Sequence, residues 1–337
     1  MATTANKTPS EKSSSAPTPG ILLMAYGAAG SLEEIEPYLN DIRGGRAIPA
    51  EFIEEIKERY RAIGGKSPLL DITQAQASAL QRQLATRYKV FFGMRHWRPY
   101  IKETVAAMKT EGVAEFTAIC LTPYYSALSV GAYRKKLEEA LGAVGGNFSW
   151  SLIPSWHDEP GLIEAFAEKI RQAMKKFSRR EHDKIQVIFS AHSLPQKILE
   201  MNDPYPKQLL ETSRLVAQQT GLAPGQWYFA YQNQSKTSEP WLGPNVSQTI
   251  ERLAQEKHRR LLLCPVGFIT DHLETLYDVD ILYKRQAESC GIEFSRTESP
   301  NGSPTLISAL ANVIERHARE KKANEAKNAK DATGTKI

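Results

Sequence analysis

Cysteine is scarce: three in 337 residues, Cys120, Cys264 and Cys290, lying far apart. Without a C-x-x-C spacing, zinc ribbons and dithiol redox motifs are excluded. An iron–sulfur cluster, which normally takes four cysteines, lacks a ligand. Long apolar runs are missing as well. No segment approaches the roughly 18 consecutive apolar residues of a membrane span. The Thr/Ser/Ala/Pro-rich stretch 1–20 has no apolar centre of the kind an export signal carries, so the cytoplasm is the expected location. Nucleotide loops are lacking too. Tyr26-Gly27-Ala28-Ala29-Gly30 does not fit G-x-G-x-x-G, no G-x-x-x-x-G-K-[ST] occurs, and Gly145-Gly146-Asn147 reads as a turn. A basic stripe is the last absence. Of the net charge of +5, residues 1–20 carry +1 and residues 315–337 carry +3, leaving +1 for the body. Nucleic acid is therefore not an expected partner, and both tails read as solvated and disordered.

What remains is an ordinary balance, 41% hydrophobic and 24% charged, in a chain long enough for two α/β units. Short apolar runs bounded by Gly or Pro predict strands at 21–27, 89–93, 116–122 and 150–154, then at 185–190, 227–231 and 260–266. Helical patterns lie between them, at 33–41, 52–61, 67–88, 206–220, 246–256 and 272–289, with a last helix near 305–321. Such alternation predicts an α/β fold of two Rossmann-like halves, each a parallel sheet flanked by helices, with a cleft between them. The expected division is a tail at 1–19, domains at 20–158 and 159–302, a helix at 303–321 packing back on the first domain, and a basic tail at 322–337. A monomer is expected.

Ionisable groups follow the apolar runs, where an open parallel sheet binds ligands. His192 closes the run Val187-Ile188-Phe189-Ser190-Ala191-His192 and enters a turn closed by Pro195. Spacing alone allows either a histidine bonding its own loop or a proton acceptor. Asp271, Glu274 and Asp278 recur at i, i+3 and i+7, so an α-helix would line them along one face. That face reads equally as a solvated acidic flank or as a path for a hard cation. Tyr26 ends the first strand as His192 ends the fifth, either as packing or as a phenolate able to hold ferric iron. Arg43, Arg46, Arg59, Ser67 and Tyr133 offer donors for carboxylates, Arg through its bidentate fork.

Several stretches, in order, resemble ferrochelatases: Leu23-Met24-Ala25-Tyr26-Gly27, Arg59-Tyr60-Arg61-Ala62-Ile63-Gly64-Gly65-Lys66-Ser67-Pro68-Leu69, Ser190-Ala191-His192-Ser193-Leu194-Pro195, Asp203-Pro204-Tyr205-Pro206, Pro240-Trp241-Leu242-Gly243-Pro244, Pro265-Val266-Gly267-Phe268 and Asp271-His272-Leu273-Glu274-Thr275-Leu276-Tyr277-Asp278. The similarity covers about residues 20–320. It implies two Rossmann-like halves around a porphyrin cleft, and insertion of ferrous iron into a porphyrin with release of two protons. Iron is then a substrate, and no cofactor is bound permanently. By position, His192 and Glu274 match the family's catalytic pair, which also contacts the metal, and Asp278 matches a further acidic position. The run from Tyr124 to Arg134 looks like the branch that uses coproporphyrin III. In that branch Tyr26 is the axial ligand of the product iron, while Arg43, Arg59, Tyr60, Ser67 and Tyr133 contact the macrocycle or its propionates. Gly44 stands where the branch often has a second arginine, and Leu282 replaces a further acid. The alternatives are a protoporphyrin IX enzyme, a chelatase for another metal and tetrapyrrole, and a haem-binding carrier without turnover.

Overall fold

The computed structural model describes residues 17–233 and 239–334, so the expected N-terminal tail falls outside the described residues except for its last three positions. The first half contains β1 (Gly20–Ala25), α1 (Ile35–Ile42), α2 (Ala50–Ala62), α3 (Leu69–Leu84), β2 (Lys89–Met94), α4 (Ile101–Thr110), β3 (Glu115–Cys120), α5 (Val130–Val144) and β4 (Ser149–Ile153). The second contains α6 (Pro160–Met174), β5 (Ile185–His192), α7 (Tyr205–Thr220), β6 (Trp227–Gln232), α8 (Val246–Gln255), β7 (Arg260–Cys264), a π-helix (Glu274–Tyr283), α9 (Lys284–Ser289) and β8 (Glu293–Arg296). A final helix, α10 (Pro304–Gly334), closes the chain.

β1 (GILLMA) is apolar throughout and buried at every position, as a central parallel strand covered on both faces must be. The two sheets repeat one plan. Their strand orders are β2-β1-β3-β4 and β6-β5-β7-β8, with every pairing parallel. In each, the first strand of the half lies inside, the second on one side and the third on the other. The strand order reverses there, which opens a crevice at the carboxyl ends of β1 and β5.

A single apolar cluster runs through both halves. It joins Ile21 and Leu23 of β1 and Leu80 of α3 to Phe166 and Ile170 of α6, Val187 and Phe189 of β5, Leu262 of β7 and Leu310 of α10. Each such side chain, fully buried, contributes about 1.5–3 kcal/mol. The last helix packs on α3 and α6. Arg316 reaches buried Glu159 at 2.7 Å, and His317 Nε2 meets Ser151 Oγ at 3.0 Å.

Three features differ from the sequence reading. The edge strand β8 was not expected; four residues, of which only Phe294 is apolar, give little signal. The last helix continues to Gly334, past the expected end at 321. Residues 322–328 are exposed and bury nothing, so helix there follows from a run of Ala, Glu and Lys, all strong helix formers. Finally, the segment after β7 winds as a π-helix over Glu274–Tyr283, where an α-helix was expected.

Candidate active site

Each sheet presents an ionisable side chain at the carboxyl end of an inner strand. His192 is the last residue of β5, in register with Gln232 of β6. Its imidazole Nδ1 donates to the Ser193 carbonyl oxygen. A carbonyl can only accept, so the neutral ring carries its proton on Nδ1 and keeps the Nε2 lone pair free. Ser193 is itself pinned, its N–H donating to Gln232 O and its hydroxyl to Leu242 O, at 2.8 and 2.9 Å. Tyr205 Oη donates to the His192 carbonyl at 2.9 Å, and the Trp241 ring tilts over the imidazole with centroids 6.4 Å apart.

The free Nε2 faces Glu274 Oε1 at 3.8 Å, the two side chains being 35% and 30% exposed in the cleft. The other carboxylate oxygen, Oε2, accepts a hydrogen bond from Asn233 Nδ2 and lies 3.8 Å from His272 Nε2. Burial pushes the Glu274 carboxyl up, but His192, the hydrogen bond and charge of His272, and the Asn233 amide together hold it down at about 2. Glu274 is thus an anion at any physiological pH. His272 Nδ1 donates to Thr270 O at 3.0 Å; burial lowers its basicity, but the hydrogen bond and charge of Glu274 outweigh this and raise it.

Asp278 lies one turn further along the wide helix, and its surroundings are opposite in effect. Burial, then the charge of Glu274, push its carboxyl up to about 7, against the pull of Arg59, His272 and His192. Arg59, reaching across from α2, holds Nη1 3.7 Å from Asp278 Oδ1 and lies over the Tyr277 ring at 5.5 Å. The two acids therefore differ in state near neutrality. The third expected member of the row does not join them. Asp271 precedes the helix and is bound instead by Arg296 and Asn301, at 2.8 and 2.7 Å, because the i→i+5 winding begins after it.

Tyr26 follows β1. The ladder with β2 continues past it, His96 N–H donating to Tyr26 O at 2.9 Å. Gly27 then turns the chain at φ +99°, where a Cβ would sit 2.8 Å from Trp97 N, so only glycine fits. The tyrosine is 42% exposed, packs on His96 with centroids 4.7 Å apart and lies under Arg95 at 6.0 Å. Burial of its phenol raises the pKa, Arg95 opposes this, and Glu274 and Asp41 add to it. The charge of Glu274 is thus felt at Tyr26, at the end of the other sheet.

The expected ring and propionate contacts divide into two groups. Arg43 is exposed beyond α1, its guanidinium over the Phe52 ring at 5.1 Å, and Arg46 Nε donates to Arg43 O at 3.2 Å. Tyr60, Ser67 and Tyr133 are buried. Tyr60 belongs to the cluster joining α1 and α2, and burial pushes its phenol up to about 12. Ser67 Oγ accepts from Leu69 N–H as α3 starts, and Tyr133 packs under Arg95 at 5.6 Å. These three, expected to contact the ring or its propionates, are packed into the protein and expose little surface. Sequence reading missed Asn233, His272 and Arg95. The signal was available: Asn233 and Arg95 directly follow β6 and β2, at the same sheet edge that delivers His192 and Tyr26.

The arrangement combines, near the carboxyl ends of the inner strands of the two sheets, a free imidazole nitrogen, a permanent carboxylate, a second carboxyl titrating near neutrality and a phenol. Among the described residues, no three His, Cys, Asp or Glu side chains form a ready-made metal cage.

The description of a ferrochelatase fits residues 18–318 of the chain. The chain belongs to the ferrochelatase family. It is 42% identical over 304 residues to the ferrochelatase of Deinococcus radiodurans, covering 89% of this chain and 96% of that one. It is 42% identical over 309 residues to the coproporphyrin III ferrochelatase of Halalkalibacterium halodurans, covering 90% and 98%. Among solved structures, SirB from Bacillus subtilis with Fe3+ superposes with a TM-score of 0.59 at 9% identity, over 91% of this chain and 98% of that one, a likeness of fold. As a ferrochelatase the protein inserts iron into a porphyrin, the activity of a lyase of haem biosynthesis. No helix among the described residues is long and apolar enough to cross a membrane.

Proposed function

We propose that this ferrochelatase acts on coproporphyrin III, inserting Fe2+ and releasing two protons, as a cytoplasmic monomer without a resident cofactor. The observation that carries the chemistry is the 3.8 Å approach of His192 Nε2 to Glu274 Oε1. His192 accepts the pyrrole protons on its free nitrogen. Glu274, held ionised, draws the cation into the cleft and stabilises the imidazolium that forms. Asp278 takes part in passing the metal inward, and Tyr26 ligates the iron of the product through its phenol oxygen.

Insertion is slow unaided because a planar ring keeps its nitrogen lone pairs in plane and holds two protons there. Binding energy from groups remote from the nitrogens offsets the strain of tilting one pyrrole toward the metal. Arg43 and Arg46 at the rim, with Arg59 deeper, supply such remote contacts if the ring carries propionates to meet them. Four propionates use more of these donors than two. Support for the coproporphyrin substrate comes from relatives named for that activity, among them those of Geobacillus kaustophilus at 40% identity and Bacillus subtilis at 37%.

The test is anaerobic turnover of ferrous iron with coproporphyrin III and, separately, protoporphyrin IX. A higher kcat/KM for the tetracarboxylate is expected. A preference for protoporphyrin IX would overturn the substrate assignment, and tight binding of either ring without accelerated insertion would leave only a carrier.

A further inference from the structure

The strongest polar constellation outside the His192–Glu274 pair lies behind the π-helix, centred on Arg296 at the end of β8. Its side chain is 9% exposed. Nε and Nη2 donate to the two oxygens of Asp280, at 2.7 and 2.8 Å, in a bidentate fork. Nη1 donates to Asp271 Oδ1 at 2.8 Å and to the Thr297 carbonyl at 3.0 Å. Asp271 lies just before the π-helix and Asp280 lies within it, so one guanidinium ties down the chain on both sides of Glu274 and Asp278.

The network extends to the first half. Asn301 Nδ2 donates to Asp271 Oδ2 at 2.7 Å, and Asn301 Oδ1 accepts from Asp271 N–H at 2.8 Å. Asn301 holds φ at +51°, a conformation that L residues other than Asn and Asp seldom adopt. Its carbonyl accepts from Gln76 Nε2 of α3 at 2.7 Å. A chain of hydrogen bonds thus runs from α3 through Asn301, Asp271 and Arg296 to the middle of the helix that carries Glu274.

A π-helix is rare and mostly confined to single turns. Ten residues of it need restraint from outside the helix, since the same residues can rewind to the commoner i→i+4 register. Rewinding from i→i+5 would rotate the side chains of the helix relative to β5.

We propose that Arg296, with Asp280 and Asp271, is a positioning device that holds the π register and thereby sets the Glu274 carboxylate opposite His192. This rests on the reading that Glu274 handles iron, and it makes Arg296, Asp271 and Asp280 positioning residues. The first variant is Asp280→Asn, a change at a carboxylate 38% exposed, which keeps shape and leaves the Asp271 limb of the fork. The second is Arg296→Lys, which keeps the charge and loses the fork.

Both variants are expected to lower kcat/KM for ferrous iron about 10- to 100-fold, the cost of an ångström-scale misplacement. The affinity for porphyrin, followed by fluorescence, should stay within twofold of the parent. The double variant should lose scarcely more than Arg296→Lys alone, because both changes break one link. Unchanged iron kinetics per folded molecule, whatever happens to Tm, would overturn the proposal, as would a parallel loss of porphyrin affinity. Glu274→Gln separates the two ideas. If it retains turnover, the role given to Glu274 fails; if it is inactive while Asp280→Asn and Arg296→Lys have normal kinetics, only the positioning role fails.

Discussion

Arg59 and Asp278 meet across the cleft at 3.7 Å, one from a helix of the first half and one from the π-helix of the second. The contact does not fully ionise the acid. Burial and the neighbouring Glu274 push Asp278 from an ordinary value of about 3.9 up to about 7. Between those values the folded protein holds a proton that the unfolded chain has released. Stability contributed at this position therefore falls as pH rises from about 4 to about 7, and the cost is complete above that. Asp278→Asn cannot ionise and escapes the cost. Its Tm should exceed that of the parent by more at pH 8 than at pH 5, with an upper bound of about 4 kcal/mol at the alkaline end. A Tm difference that stays constant or shrinks with rising pH would contradict the assignment.

His192→Ala removes the proposed proton acceptor together with its hydrogen bond to the Ser193 carbonyl and its influence on Glu274, and little packing, since the ring lies only loosely under Trp241. Insertion should fall at least about 10²-fold, the lower range for general-base help. Porphyrin binding measured by fluorescence quenching should survive. Near-normal turnover would remove His192 from the mechanism.

Tyr26→Phe deletes one hydroxyl at a half-exposed ring and leaves its packing on His96 in place. Insertion should persist within about tenfold, because the phenol is proposed to act on the product and not on the proton transfer. Once the product has been oxidised by air to its ferric form, the absorption spectrum of its complex with the enzyme should change, as a phenolate ligand is lost. An identical spectrum would show that the iron is held otherwise.

Gly267→Ala tests how closely the loop after β7 is laid over β5. An added Cβ would sit 2.5 Å from Ala191 Cβ and 2.7 Å from Ala191 Cα, next to His192. Backbone must shift, at a cost of about 1–3 kcal/mol, and His192 should shift with it. A lower Tm together with a lower kcat is expected in thermal melts and steady-state assays. Unaltered kcat in a destabilised protein would show that the strain relaxes away from the imidazole.

The fold was legible because parallel strands covered on both faces must be apolar along their length. Runs such as Leu261-Leu262-Leu263 and Ile21-Leu22-Leu23 announce them, and His192 and Tyr26 could be placed by counting to the strand ends. The winding of Glu274–Tyr283 was not legible. Both α and π registers are helical, and the choice rests on distant partners such as Arg296, which local periodicity does not contain. Burial set a second limit. Tyr60, Ser67 and Tyr133 carry the right chemistry for a ligand, but only packing reveals that they are enclosed. Asn233 and Arg95 were within reach of the strand-end argument but belong to no recurring pattern.

The hydrocarbon that unites β1, β5 and the last helix makes the two lobes share one interior. A void opened in that common filling would loosen both lobes at once, since the atoms lining it belong to both.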